Sequence, residues 1–244
     1  MIDLIHGDCV DLVKCIPEIN VTVTSPPYNK RGAGGGIFRK IEYDTFDDTL
    51  PEEEYQQQQI ELLNVIYDKT VEGGSLFYNH KIRYFDGTSI APWQWLTQTK
   101  WNIREEIIWA RGMGTEISGY RFTQNDERIY WLCKGSKHPR LPRECANYGS
   151  VWKFAPDMKN DHPAPYPLIL PVRCIQSVLT EKGVVFDPYN GSGTTGVAAT
   201  LLGHDYIGID MSQKYLDEAR NRIENISQRD LNSFNQCSIM ASSN

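Results

Sequence analysis

The sequence predicts one α/β domain, and three observations lead there. Short strand-like runs alternate with segments of helical period along the chain. Val184-Val185-Phe186-Asp187 is apolar up to its last residue, as strands buried in a parallel sheet are. Gly191-Ser192-Gly193-Thr194-Thr195-Gly196 follows that run and opens a helical segment, the context in which a G-x-G-x-x-G turn carries weight. With 244 residues the chain is long enough to bury a sizeable core.

Composition narrows the function classes. A net charge of −6 argues against indiscriminate binding to polyanions but not against a local basic patch. The six cysteines form no C-x-x-C pair, so reduced thiols of a cytoplasmic protein are expected and a zinc site is not. The first residues lack a basic-then-apolar run, so no signal peptide is expected. No apolar run approaches the roughly 20 residues of a membrane span.

Taken in order, Asp3 to His6 reads as a short strand. Asp8 is then either an acceptor at that strand's end or the N-cap of a helix running to Pro17. Val21 to Thr24 alternates as a second strand and meets Ser25-Pro26-Pro27-Tyr28. Neither proline has an N–H for a sheet, and each pushes its predecessor away from helix. The result is a stiff turn carrying a hydroxyl, free carbonyls and an aromatic face. A planar base with an exocyclic amine fits such a turn, its amine donating to Ser25 and to the Pro26 carbonyl while its ring stacks on Tyr28.

The stretch from Lys30 to Lys40 holds four cations (Lys30, Arg31, Arg39, Lys40) and four glycines. It reads as a solvated linker or as a basic loop that closes on a phosphate backbone. Glu52 to Thr70 is an amphipathic helix with Leu62, Leu63, Ile66 and Tyr67 on one face. Gly73 to Asn79 turns into a strand, Trp93 to Thr99 is a short helix, and Ile103 to Ala110 and Glu127 to Cys133 are strands. Arg111 to Phe122 is an exposed loop. Residues 134 to 161 interleave Lys134, Lys137, Arg140 and Arg143 with prolines, then Tyr148, Trp152 and Phe154. They read as a surface insertion or a nucleic-acid contact.

After a run of prolines, Val172 to Thr180 is helical, Val184 to Asp187 is a strand, Thr194 to Leu202 is a helix stopped by Gly203, and Tyr206 to Ile209 is a strand ending at Asp210. Ser212 caps a helix with Tyr215, Leu216, Ala219, Ile223 and Ile226 inward. Residues 227 to 244 are polar and are expected to fray. The glycine turn suits a cofactor whose ribose hydroxyls meet Asp210. NAD would set its diphosphate on the helix N-terminus. S-adenosylmethionine has no phosphate and is cationic, which suits the acid Asp187 at the strand end.

Together, Thr24-Ser25-Pro26-Pro27-Tyr28 and Phe186-Asp187-Pro188-Tyr189-Asn190-Gly191-Ser192-Gly193-Thr194-Thr195-Gly196 resemble the β-type bacterial and phage DNA amino-methyltransferases. The resemblance spans residues 2 to 226 and explains the permuted order, with the catalytic turn before the cofactor loop. It implies a doubly wound, Rossmann-like, mainly parallel sheet with helices on both faces and one antiparallel strand pair. It divides the chain into a methyltransferase domain, 1–226, with a small target-recognition insertion at 134–161, and a polar tail, 227–244. It implies catalysis by Ser25, Pro26, Pro27 and Tyr28. It implies S-adenosyl-L-methionine held by Asp8, Asp187, Tyr189, Gly191, Ser192, Gly193, Thr194, Thr195, Asp210 and His162. It implies DNA contacts from Lys30, Arg31, Arg39, Lys40, Lys137, Arg140 and Arg143.

The expected reaction is methylation of the N4 amine of cytosine, flipped from duplex DNA. Ser25, where adenine-N6 enzymes more often carry Asp, favours cytosine. Adenine N6 is the alternative, a catalytically silent DNA-binding relative a remote one, and an NAD-dependent oxidoreductase rests on the glycine motif alone. A cognate restriction endonuclease and a homodimer are further expectations from the family.

Overall fold

The computed structural model describes residues 1–29, 49–112, 119–137, 139–156 and 166–242, with side chains up to 236. Lys30, Arg31, Arg39, Lys40 and His162 lie outside the described residues. The elements are β1 (Ile2–His6), α1 (Cys9–Leu12), β2 (Ile19–Thr24), α2 (Glu52–Lys69), β3 (Thr70–His80), β4 (Arg83–Phe85), β5 (Thr88–Ile90), α3 (Trp93–Leu96), β6 (Asn102–Ala110), β7 (Asp126–Cys133), α4 (Arg143–Ala146), β8 (Val151–Lys153), α5 (Ile169–Val178), β9 (Val184–Asp187), α6 (Thr194–Leu201), β10 (Asp205–Asp210), α7 (Gln213–Glu224) and α8 (Gln228–Ser242).

Eight strands form one sheet in the order β1-β10-β9-β2-β3-β7-β6-β8, and β4 and β5 form a separate hairpin. The sheet is parallel from β1 to β3. Strand β7 runs antiparallel to both β3 and β6, so two antiparallel pairings flank one reversed strand where a single pair was expected. Alternation along each strand sends side chains to two cores. Val21, Val23, Phe77, Trp131 and Val185 face α5 and α6. Leu76, Tyr78, Phe186, Ile207 and Ile209 face Tyr55, Leu62, Leu63 and Ile66 of α2 and Trp95 of α3.

Three segments depart from the sequence reading. Helix α5 starts at Ile169, not Val172. Pro171 fits because the N–H groups of a first turn have no partner within the helix. Residues 227–242 are mostly a helix rather than a frayed tail. Ser227 Oγ accepts from the Asp230 amide at 3.1 Å, and its hydroxyl donates back to the Asp230 carboxylate at 2.9 Å. Asp230 also accepts from Arg222 of α7 at 3.1 Å, and Phe234 packs on the core.

The third departure concerns 134–156. Its aromatic half is neither a surface insertion nor an exposed nucleic-acid contact. Strand β8 joins the sheet beside β6, pairing Trp152 with Trp109. Trp109 stacks on Phe154 with centroids 5.3 Å apart. The Arg173 guanidinium of α5 lies 4.6 Å from the Tyr148 ring, 5.6 Å from Trp152 and 5.5 Å from Phe154, a caged cation that fastens this segment to α5. Trp152→Ala is therefore expected to cost about 3–5 kcal/mol in denaturant unfolding. A loss within about 0.5 kcal/mol, typical of surface positions, would return the segment to the surface.

Candidate active site

The strand order reverses direction between β9 and β2. From β2 the chain steps to β3; from β9 it steps the other way to β10. Turns leaving the C-terminal ends of such a neighbouring pair open on one crevice. Here those turns are Ser25-Pro26-Pro27-Tyr28 and the loop from Asp187 to Thr194. A buried bond joins them at the root: Thr24 Oγ1 donates to Asp187 Oδ1 at 2.8 Å.

Asp187 is 1% exposed. Besides Thr24 it accepts from Thr195 Oγ1 at 2.8 Å, the Tyr166 hydroxyl at 3.1 Å and the Tyr189 amide at 3.1 Å. Burial nevertheless outweighs these donors and pushes its carboxyl up to about 6. Asp187 and Thr195, both expected among the cofactor contacts, are 1% and 0% exposed and anchor the two turns from below.

The Ser25-Pro26-Pro27-Tyr28 turn is braced on every side. The Tyr55 hydroxyl donates to the Pro27 carbonyl at 2.8 Å and lies 2.9 Å from His80 Nε2. Asn29 sits at φ 50, a left-handed conformation that residues other than glycine seldom adopt. It is held there by its own amide donating to the Leu50 carbonyl at 3.0 Å and by Arg83 donating to its carbonyl at 3.3 Å. Arg83 is in turn gripped by both oxygens of Glu52, at 2.6 and 2.7 Å. Among the described residues the Pro26 carbonyl accepts no hydrogen bond. Tyr28 is only 8% exposed, with its ring 4.5 Å from that of His80. Its hydroxyl lies 2.9 Å from Ser25 Oγ, 3.0 Å from Glu127 Oε2 and 3.2 Å from Asn79 Oδ1.

Across the crevice, Gly191 and Gly193 take φ values of 50 and 76. A Cβ on Gly193 would meet Ala219 Cβ at 2.7 Å, and one on Gly196 would meet Ile223 at 2.5 Å. These two glycines let α6 settle against α7, while Gly191 leads the loop. Asp210 Oδ2 accepts from the Gly191 amide at 2.8 Å and Oδ1 from the Ser212 amide at 2.9 Å. Tyr189 accepts from Gln59 Nε2 at 3.1 Å. Arg222 supports Thr194 Oγ1 at 2.9 Å and reaches Ser192 Oγ at 3.4 Å. Asp8, exposed after β1, caps α1 by accepting from the Val10 amide at 2.8 Å. The adjoining Gly7 amide donates to the Asp210 carbonyl at 3.0 Å, which brings Asp8 and Asp210 to one rim.

A family model for N6/N4 DNA methylases matches residues 19–221. The chain belongs to that family. It is similar to the type II methyltransferase M.ScaI of Streptomyces caespitosus, at 25% identity over 91% of this chain and 81% of that one. Its fold is that of the cytosine-N4-specific PvuII DNA methyltransferase, with a TM-score of 0.74 at 17% identity over 100% of this chain and 93% of that one. It also matches M1.HpyAVI, solved as a SAM complex, with a TM-score of 0.63 at 21% identity over 91% and 100% of the two chains. The doubly wound fold expected from the sequence is the fold of this methylase.

The structure does not bring all the expected DNA contacts to the crevice. Lys137 stands beside Gly73 near the start of β3, its Cβ 3.5 Å from where a Cβ on Gly73 would sit. Arg143 opens α4, whose Cys145 Sγ bonds the Gln176 carbonyl towards the end of α5. Both lie at the end of the sheet opposite Ser25, and exposed Arg140 lies on the connection between them. The methylase instead places around the Ser25-Pro26-Pro27-Tyr28 turn other groups that the sequence did not single out: Tyr55, Asn79, Lys81, Arg83 and Glu127. Glu127 had a readable signal. It shares the inward register of β7 with Ile129, Trp131 and Cys133, so a carboxylate occupies a core position.

The raised carboxyl of Asp187 gives a pH signature. In the unfolded chain it titrates near 3.8, and in the fold near 6. Its contribution to stability is complete below the lower value and is lost as pH rises through the higher one, an effect of about 3 kcal/mol. Thermal unfolding of the wild type should weaken between pH 4 and about 6 relative to Asp187→Asn, whose dependence in that window should be flatter. Parallel profiles would mean that burial does not dominate at this carboxyl.

Proposed function

We propose that this methylase transfers a methyl group from S-adenosyl-L-methionine to the N4 amine of a cytosine flipped out of duplex DNA. The observation that carries the reading is the joining of Ser25-Pro26-Pro27-Tyr28 to the glycine loop through Thr24 and Asp187, at the reversal point of the sheet. A hydroxyl and an uncommitted carbonyl, from Ser25 and Pro26, stand beside a cofactor cradle.

The cradle suits S-adenosylmethionine better than a dinucleotide. No Lys or Arg lies between Asp187 and Gly196, and the Arg222 that supports the loop is paired with Asp230 at 3.1 Å. The carboxylates on its rim, Asp8 and Asp210, favour ribose hydroxyls and a cationic ligand over a diphosphate. Asp210 would hold the ribose, Asp8 the adenine, and Tyr189 and the backbone of Gly191 to Thr194 would line the site. When bound, the cofactor would supply an electrophilic methyl group, its C–S bond breaking to leave a neutral thioether as the C–N bond forms and the amine releases one proton to solvent.

The chain's own residues do the rest. An exocyclic amine is a weak nucleophile because its lone pair is delocalised into the ring. Donating one hydrogen to Ser25 Oγ and the other to the Pro26 carbonyl would draw its nitrogen towards sp³ geometry and fix its direction. Such positioning supplies roughly 7–11 kcal/mol in favourable cases. Ser25 supports cytosine over adenine, and the likeness to a cytosine-N4-specific enzyme agrees with it. Duplex DNA would approach the site end of the sheet. Arg121 lies there, 4.3 Å over the Tyr84 ring, with Tyr120 and Phe122 at 100% and 99% exposure, and Lys81 and Arg111 stand behind it, paired with Glu127. A cognate endonuclease for the same site is part of the proposal.

The test incubates mixed-sequence unmethylated duplex DNA with protein and cofactor, then digests it to nucleosides for mass spectrometry. N4-methylcytosine is expected. N6-methyladenine would keep the fold and overturn the base assignment. Ser25→Ala should lose about a hundredfold or more in turnover with cofactor affinity unchanged, judged by titration calorimetry. Asp210→Ala should do the reverse, weakening the cofactor about tenfold or more, and unchanged affinity would remove the ribose assignment.

A further inference from the structure

We infer that Tyr28, Glu127 and Asn79 fix the direction of the Ser25 hydroxyl, so that Ser25 can only accept from a ligand in the crevice and the site selects an amine over a ring carbonyl. The inference rests on the proposed role of Ser25 and goes beyond it, because it gives the Tyr28 hydroxyl and two buried strand residues a part in selection.

Glu127 is 6% exposed, and its Oε1 is ion-paired with Arg111 at 2.7 Å and Lys81 at 3.5 Å. Its other oxygen, Oε2, faces the Tyr28 hydroxyl at 3.0 Å. A carboxylate offers only acceptors. Asn79 donates its amide hydrogens towards the Arg128 carbonyl at 3.1 Å, which turns its Oδ1 to Tyr28 at 3.2 Å. Tyr28 therefore faces two acceptors and has one proton to give. Among the described residues the remaining contact of its oxygen is Ser25 Oγ at 2.9 Å, and there it must accept. The Ser25 proton is thus spent on Tyr28. Among the described residues Ser25 Oγ bonds no other group, so its lone pairs are left for a ligand.

The neighbouring Pro26 carbonyl is also an acceptor. A flipped base with an amine presents two donors to two acceptors. A base with a carbonyl in that place sets acceptor against acceptor, as uracil would in place of cytosine or hypoxanthine in place of adenine. Leaving such groups unpaired in a buried site costs roughly ten- to a hundredfold in binding. Without the Tyr28 hydroxyl, Ser25 would be free to rotate and donate to a carbonyl.

The experiment first locates the methylated position by sequencing DNA modified by the wild type. It then measures binding to duplexes carrying either the amine base or its oxo counterpart there, with turnover on the amine duplex. The wild type should prefer the amine duplex by tenfold or more. Tyr28→Phe should lower kcat about tenfold or more and narrow that preference, with cofactor affinity unchanged. In a Ser25→Ala background Tyr28→Phe should have no further effect, since it acts through Ser25. If Tyr28→Phe does not fold, Glu127→Gln is read in the same cycle and should show a smaller loss of the same kind. Undiminished preference with either variant, or additive losses with Ser25→Ala, would overturn the inference while leaving the methylase reading intact. A wild type that methylates no DNA base would remove that reading and the inference with it.

Discussion

The bond from Thr24 to Asp187 is the constraint on which the site depends. The two residues are 163 positions apart and end adjacent strands, β2 and β9. Each begins one of the two turns that line the crevice. Asp187 also gathers Thr195 from the first turn of α6 and Tyr166 from the approach to α5. Four parts of the chain are thereby referred to one buried carboxyl. The burial that raises its proton affinity is the same burial that keeps it from a ligand, so its role is to set the distance between the two turns.

Around this anchor the Ser25-Pro26-Pro27-Tyr28 turn is held in a conformation the isolated peptide would not favour. A residue such as Asn29 at positive φ costs on the order of 1–3 kcal/mol and persists only where its surroundings dictate it. Here they do, through Leu50 and through the Arg83–Glu52 pair that ties the β4–β5 hairpin to α2. The hairpin is therefore part of the support of the turn. Two prolines stiffen the same turn from within.

Much of this was legible in the sequence because it is local. Strand followed by Ser-Pro-Pro-Tyr, and strand followed by glycines, are patterns read within a dozen residues. The boundaries of β9, β10, α6 and α7 follow from the same kind of signal. What stayed hidden depends on partners far away in the chain. The aromatics at 148–154 read as a surface because their partners, Trp109 and Arg173, come from other elements. Lys137 and Arg143 read as DNA contacts because composition carries no direction, whereas the reversal of β7 sends the chain to the far end of the sheet. Helix α8 was missed for a different reason. Its Ser227-Gln-Arg-Asp230 start is a local capping signal, outweighed there by the polar composition that follows.

Glu127 shows how a core position acquires chemistry. On β7 it occupies a register that Ile129 and Trp131 fill with apolar side chains, and a carboxylate there is costly unless paired and hydrogen-bonded. Arg111 and Lys81 neutralise it from one side, which leaves the other oxygen to Tyr28. An apolar side chain would pack in that register at less cost, but it would give the Tyr28 proton no carboxylate to meet. The polarity of the crevice is thus set from beneath. Hydroxyl protons from Thr24, Thr195, Tyr55 and Tyr28 are all directed to acceptors inside the fold. Among the described residues the lone pairs of Ser25 and Pro26 are what the turn has left to offer, and on the proposed reading a ligand with two hydrogens on one nitrogen would satisfy both.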